Sequence, residues 1–175
     1  MSFLITGYPR CRTAWLTSLI NAHGTRCVHD ILLYKNDLPF SGNTSTIVGL
    51  CDPGIAMVLP HTGGDISNKY PTVFINRDPQ EARDAFAAEF GEISDSRWKV
   101  YENNISLFKE HAVIDLELHV DELQDTNKVC HLLKNIEVTP NRELAQYWQT
   151  FKVTQHKEVA TRILEGGKGL SILDD

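Results

Sequence analysis

Short apolar runs alternate along this chain with stretches that have helical periodicity. Each run is bounded by turn-forming residues and reads as a buried strand. The candidate strands are SFLIT, RCVH, STIVGLCD, PTVFINRD and HAVIDLEL. Between these runs apolar residues recur at helical spacing over 13–23 and 96–110, and Pro79 suits the first turn of a helix over 79–90. Strands separated by helices pair in parallel, with helices on both faces. The sequence therefore predicts an α/β protein with three α/β/α layers and a central parallel sheet.

The last third of the chain has a helical pattern without further strands. DTNKVCHLLKNI, NRELAQYWQTF and HKEVATRIL are candidate helices; Asp125 or Thr126 caps the first, and GGKG ends the last. A length of 175 residues fits one domain. We therefore expect a single domain over 1–175, with an α/β core at 1–125 and a helical C-terminal segment at 126–175.

The composition limits the classes of partner that this protein is expected to bind and indicates its cellular compartment. The net charge of −6 argues against a general nucleic-acid binder, although a local basic cluster can still bind a small anion. No apolar run approaches the roughly 20 residues of a membrane span, and the N-terminal run is too short for a signal peptide. The four cysteines are widely spaced without a C-x-x-C pair. This spacing predicts reduced thiols in a cytoplasmic protein and no zinc site.

The stretch ITGYPRCRTAW, residues 5–15, has the layout of a phosphate-binding loop between a strand and a helix. Compared with G-x-x-x-x-G-K-[ST], Gly7 matches the first glycine. Arg12, Thr13 and Ala14 replace the second glycine, the lysine and the magnesium-binding hydroxyl. These replacements argue against a magnesium-dependent ATP or GTP enzyme. A helix N-terminus with Arg10 and Arg12 beside it still predicts an anion site.

The same strand, loop and helix resemble the first motif of sulfotransferases that use 3′-phosphoadenosine 5′-phosphosulfate (PAPS). In that family the loop holds the 5′-phosphosulfate. The resemblance implies a sulfotransferase-like variant of the P-loop NTPase fold. It places Arg10 on the catalytic Lys or Arg, Cys11 on the loop serine and Thr13 on a loop threonine. The implied donor-binding residues of this segment are Gly7, Pro9, Arg10, Cys11, Arg12, Thr13, Ala14 and Trp15. The helical pattern also places Trp15 in the core.

A second segment, VFINRDPQEARDAF, resembles the family's strand that ends in R-[DN]-P before a helix. There the arginine binds the 3′-phosphate, which implies that role for Arg77. The family usually has a serine eight residues later, where this chain has Ala85, and Arg83 is a candidate replacement. AVIDLELHVDEL is a third, weaker match, so the resemblance spans about residues 3–125.

Sulfuryl transfer also needs a base for the acceptor. The resemblance implies a histidine or a carboxylate at the strand edge that faces the donor. Asp30, directly after RCVH, is the first candidate, followed by His29 and by His61 in LPHTGG. Asp30 can also be the cap of a helix beginning ILLYK.

Other functions fit parts of the same sequence. Asp52 and Asp115, read as ending apolar strands, favour a degenerate magnesium-dependent P-loop kinase. Ala85 and Arg12 favour a non-catalytic module that binds adenosine 3′,5′-bisphosphate. Cys11 at a helix N-terminus has the position of a nucleophile, but the C-x₅-R spacing of cysteine phosphatases is absent. The acceptor, a small molecule with a hydroxyl or an amine, is not identified by the sequence, and neither is the oligomeric state.

Overall fold

The computed structural model describes residues 2–29 and 49–151. Within them a five-stranded, all-parallel sheet has the order β2-β3-β1-β4-β5. The strands are β1 (Phe3–Gly7), β2 (Cys27–His29), β3 (Gly49–Cys51), β4 (Thr72–Asn76) and β5 (Leu116–His119). All five predicted strands are present, although β5 begins only after Asp115, and the start of the STIVGLCD run lies outside the described residues.

The helices follow the predicted pattern closely where their sequence periodicity is strong. They are α1 (Thr13–Ala22), α2 (Gly54–Val58), α3 (Gly63–Ser67), α4 (Pro79–Phe90), α5 (Asp95–His111), α6 (Thr126–Asn135) and α7 (Arg142–Trp148), with 3₁₀ turns at Pro60–Thr62 and Val120–Gln124. The short α2 and α3 were not predicted. The predicted helices ILLYK and HKEVATRIL lie outside the described residues. No helix within 2–29 and 49–151 is both long and apolar enough to cross a bilayer.

Helices cover both faces of the sheet. Successive side chains of a strand point to opposite faces. Accordingly, Phe3 and Ile5 of β1 pack into a core formed with α1, α6 and α7. Leu4, between them, packs into a second core formed with α2 and α5. This arrangement confirms the predicted α/β/α layering.

The C-terminal helices belong to the same core as α1. The indole Nε1 of Trp15 donates a hydrogen bond to the carbonyl oxygen of Trp148 at 3.2 Å. Val129 and Leu133 of α6 and Ala145 of α7 are fully buried against that core. Residues 126–151 are therefore packed on the α/β layers rather than standing apart from them.

Helices α4 and α5 rise above the carboxyl edge of the sheet. Helix α5 has 17 residues and is about 25 Å long, whereas the five residues of β4 span about 16 Å. Because α5 ends just before β5 begins, its first turns extend beyond the carboxyl edge. Phe86 of α4 contacts Trp98 of α5 there, with ring centroids 6.4 Å apart.

Three of the four cysteines lie in one core. Cys11, Cys27 and Cys51 are buried, Cys130 is half-buried, and all four are thiols. Burial, together with the neighbouring Cys27 thiol, raises the pKa of the Cys51 thiol well above its usual value.

Candidate functional site

The strand order places a crevice above the carboxyl ends of β1 and β4. The chain leaves β1 towards β2 on one side of the sheet and leaves β4 towards β5 on the other. Ligands of parallel α/β sheets bind where neighbouring connections diverge in this way. The loop at residues 8–12 follows β1, and Arg77 follows β4. The loop of ITGYPRCRTAW and the arginine of VFINRDPQEARDAF therefore meet at this crevice.

Gly7 begins the loop at a position without room for a side chain. A Cβ built on Gly7 would lie 2.1 Å from the carbonyl oxygen of Ile75 in β4. The same carbonyl accepts a hydrogen bond from the Tyr8 amide at 3.2 Å. The first predicted loop glycine is thus required by the close approach of β1 and β4.

Two residues of the loop have left-handed backbone conformations. Arg10 has φ 63°, and Arg12, the N-cap of α1, has φ 64° and ψ 24°. Cys11 between them is not in the left-handed region. Alternation of this kind turns successive amide N–H groups towards one concave side, which suits an anion. Arg12 stands where G-x-x-x-x-G-K-[ST] has its second glycine, and it adopts a conformation that glycine reaches at lower cost.

Arg77 ties the end of β4 to this loop. Its Nη1 donates a hydrogen bond to the carbonyl oxygen of Arg10 at 2.7 Å. Its Nε lies 3.9 Å from a carboxylate oxygen of Glu81, which is too far for a hydrogen bond, and this buried donor has no hydrogen-bond partner within residues 2–29 and 49–151. Arg77 therefore holds the loop in place and keeps part of its guanidinium unsatisfied.

The two arginines of the loop differ in their surroundings. Nη2 of Arg10 lies 3.5 Å from Oε2 of Glu89, near the C-terminal end of α4. Arg12 is exposed, and its side chain makes no hydrogen bond or ion pair with the part of the chain that the structure describes. Arg12 is thus available to an incoming anion, whereas Arg10 already faces a carboxylate.

The structure brings Thr13 and His29 together. Oγ1 of Thr13, at the first position of α1, lies 2.9 Å from Nε2 of His29 at the end of β2. Thr13 is 4% exposed, and its carbonyl oxygen accepts hydrogen bonds from Thr17 Oγ1 and Cys51 Sγ. A predicted phosphate ligand and a predicted base are therefore direct neighbours at the carboxyl edge.

The remaining loop residues have mainly structural surroundings. Cys11 is fully buried in the α1 core, where a substrate does not reach its sulfur. Pro9 is buried, Trp15 is 5% exposed in the same core, and Ala14 is half-buried. These positions favour a structural replacement of serine by Cys11 over a nucleophile.

Three predicted site residues are not seen at the crevice. His61 is exposed and contacts the ring of His111, the last residue of α5, at a centroid distance of 6.2 Å. Because α5 ends beside the start of β5, this pair lies at the opposite, amino edge of the sheet. Arg83 pairs with Asp95 and donates to the carbonyl oxygen of Ile93 at 3.1 Å. Asp30 lies outside the described residues.

The two acids that favoured a kinase are placed differently from each other. Asp52 directly follows β3 at the carboxyl edge, is 2% exposed, and accepts a hydrogen bond from the Gly54 amide at 2.7 Å. Asp115 does not end a strand, so that interpretation was wrong. Asp115 precedes β5 at the amino edge of the sheet, and its carboxylate accepts a hydrogen bond from the Thr72 amide at 2.7 Å. In the run before it, HAVI, His111 ends α5 and the next three residues connect the helix to β5 without regular secondary structure.

Two acidic side chains and a tyrosine at the crevice were missed from the sequence. Glu81 and Glu89 are eight residues apart on one face of α4, with Ala85 midway between them. Glu81 follows Arg77 by four residues, and this helical spacing could have indicated that this face of α4 lies near Arg77. Burial, with the charges of Glu102 and Asp78, raises the pKa of Tyr8.

No three His, Cys, Asp or Glu side chains form a metal-binding group within 2–29 and 49–151. No protein-family model, curated protein or solved structure matches this chain.

Proposed function

We propose that this protein is a sulfotransferase-like enzyme that transfers a sulfuryl group from PAPS to a hydroxyl or amine acceptor. The contact that carries the proposal is the hydrogen bond from Arg77 to the carbonyl oxygen of Arg10. It joins the two motifs that resemble the family, which are 67 residues apart in sequence, at the crevice between β1 and β4. The variant P-loop NTPase fold implied by the resemblance is part of this proposal.

The groups of the crevice fit a donor that carries two phosphates. The N–H groups of the loop and of the first turn of α1 are positioned for the 5′-phosphate, with Arg10 and Arg12 beside them. Arg77 would hold the 3′-phosphate. Its buried Nε lacks a hydrogen-bond partner in the part of the chain that the structure describes, and buried donors of this kind are normally satisfied. Ala85 lies on the α4 face between Glu81 and Glu89, so the serine contact of the family is absent there.

When bound, PAPS supplies a transferable sulfuryl group and a phosphate leaving group. Arg10 would stabilise the negative charge that develops on the oxygens during in-line attack by the acceptor. The imidazole of His29 is a base for the acceptor proton at the correct edge, and Asp30 follows it directly in sequence. His61 lies at the other edge and is left out of this proposal.

Ligand-induced stabilisation tests the assignment of the phosphates. Adenosine 3′,5′-bisphosphate at 100 times its Kd should stabilise the fold by about 2.7 kcal/mol, roughly 5 to 10 °C in Tm for a domain of this size. AMP and Mg-ATP should give much smaller shifts. An equal response to all three ligands would contradict a 3′-phosphate site.

A non-catalytic bisphosphate-binding module is the second candidate. The reaction would need the side chains of Arg10 and His29, and both already have a partner within the protein. Arg10 faces Glu89, and His29 is hydrogen-bonded to Thr13, which favours a site that binds without catalysis. This candidate predicts the same bisphosphate-induced stabilisation without transfer of radiolabelled sulfate from PAPS to any acceptor in a panel of alcohols, phenols and amines.

A magnesium-dependent kinase has weaker support. Asp52 is at the carboxyl edge, but its Oδ1 already accepts from Gly54, and Ala14 offers no hydroxyl to a metal. Stabilisation by ATP that depends on Mg²⁺ would favour this reading over the other two.

A further inference from the structure

We infer that Glu89 is a built-in competitor for the anion at Arg10, and that it sets the affinity of the site for its ligand. This inference rests on the proposed function, because it concerns the same anion site. In the structure Oε2 of Glu89 lies 3.5 Å from Nη2 of Arg10. A ligand phosphate or sulfuryl oxygen that binds Arg10 must share the guanidinium with this carboxylate or replace it.

The pair is neither fully exposed nor buried. The Arg10 side chain is 33% exposed and the Glu89 side chain 23% exposed. A pair with this exposure is only modestly stabilising, because water solvates and screens both charges. A ligand phosphate can therefore displace Glu89, but it binds less tightly than it would to an Arg10 without a partner.

The position of Glu89 on α4 gives this competition a structural reason. Asp78 precedes helix α4 and caps it by accepting from the amides of Gln80 and Glu81. Ala82 is its only buried residue. Glu81 near its start faces Arg77, and Glu89 near its end faces Arg10. The helix thus presents one carboxylate to each of the two arginines assigned to the donor phosphates.

The competition predicts a gain of affinity on loss of one charge. Glu89→Gln should bind adenosine 3′,5′-bisphosphate about two- to fivefold more tightly than the wild type, in titration calorimetry at low salt. Glu92→Gln is the matched control, since Glu92 is exposed, has no ion pair within the described residues and gives the same change of net charge. Circular dichroism and Tm of each variant would show that the fold is kept.

A double-mutant cycle locates the effect at Arg10. In the background of Arg10→Met, which itself should weaken bisphosphate binding, Glu89→Gln should give no further gain. Equal or weaker binding by Glu89→Gln, with the wild type binding normally, would overturn the competitor role while leaving the proposed function standing. A gain of the same size in Glu92→Gln would overturn it too, because the effect would then be one of net charge. Absence of any bisphosphate binding by the wild type would instead contradict the proposed function, and this inference with it.

Discussion

Nη1 of Arg77 donates to the carbonyl oxygen of Arg10 at 2.7 Å, and this one hydrogen bond connects the end of β4 to the loop after β1. Arg10 has a left-handed backbone conformation, which costs free energy for a residue other than glycine. The Arg77 side chain therefore holds the carbonyl oxygen of a strained residue. The shape of the loop therefore depends on a residue 67 positions away.

Replacement of Arg77 should loosen the loop. Arg77→Met removes a hydrogen bond from a charged donor, and we expect a loss of about 1.5 kcal/mol in the free energy of unfolding. Bisphosphate affinity should fall as well, because the loop N–H groups lose their arrangement. Urea denaturation and calorimetry measure the two effects. Arg142→Met is the control, since Arg142 donates a similar bond to Asn127 Oδ1 at 2.7 Å, away from the crevice. Equal bisphosphate affinity in the two variants would contradict this role of Arg77.

Two substitutions of Arg12 distinguish the effect of its left-handed backbone conformation from the effect of its charge. Arg12→Gly should unfold at a higher urea concentration than Arg12→Ala, with a difference of about 0.5 to 1 kcal/mol, because glycine reaches this conformation at lower cost. Both variants lose the guanidinium and should lose bisphosphate affinity equally. Identical stability of the two variants would show that position 12 is not strained.

Gly7 should tolerate no side chain. Gly7→Ala forces a Cβ against the Ile75 carbonyl oxygen, and we expect a loss of more than about 3 kcal/mol, or failure to fold. Gly24→Ala is the comparison: Gly24 also has a positive φ, of 80°, but no atom lies within 4 Å of its added Cβ. Its loss should be about 1 kcal/mol. Similar losses at both glycines would mean that the approach of β1 and β4 is not limiting.

Glu122 should make stability depend on pH in the acidic range. The His119 amide and the Lys128 ammonium hydrogen-bond its carboxylate at 2.8 and 2.9 Å, and they lower the pKa of Glu122. Because the folded pKa lies below the unfolded value of about 4.3, the contribution is present above that value and is lost as the pH falls through the folded pKa. Glu122→Gln should therefore be less stable than the wild type at pH 7 and equally stable near pH 2. A difference in stability between Glu122→Gln and the wild type that does not change with pH would exclude this linkage.

Local patterns in the sequence predicted the elements they determine. The bounds of α4 were predicted because Pro79 fits the first turn of a helix, and the structure shows that Asp78 caps it. Helices α2 and α3 were missed because they have only five residues each, with glycines among them and no full helical repeat. The HAVI run predicts the start of β5, but His111 ends α5 and Ala112, Val113 and Ile114 form the connection to β5, because a short apolar run does not by itself determine secondary structure.

The candidate site was predicted only in part, because its contacts are tertiary. Motif positions identified Gly7, Arg10 and Arg77, and strand order then placed them together. Nothing local in the sequence indicated that Glu89 would face Arg10. His61 has the residue type of a base, but the edge of the sheet at which it lies depends on where α5 ends.

The four thiols differ in burial, so their reactivity can report local opening of the fold. Cys130 is half-buried, whereas Cys11, Cys27 and Cys51 are buried in the core that includes α1. A maleimide dye should label the folded protein at one position. Labelling of the other three would then measure how often the β1 region opens, and a bound ligand at the loop would slow it without any engineered probe.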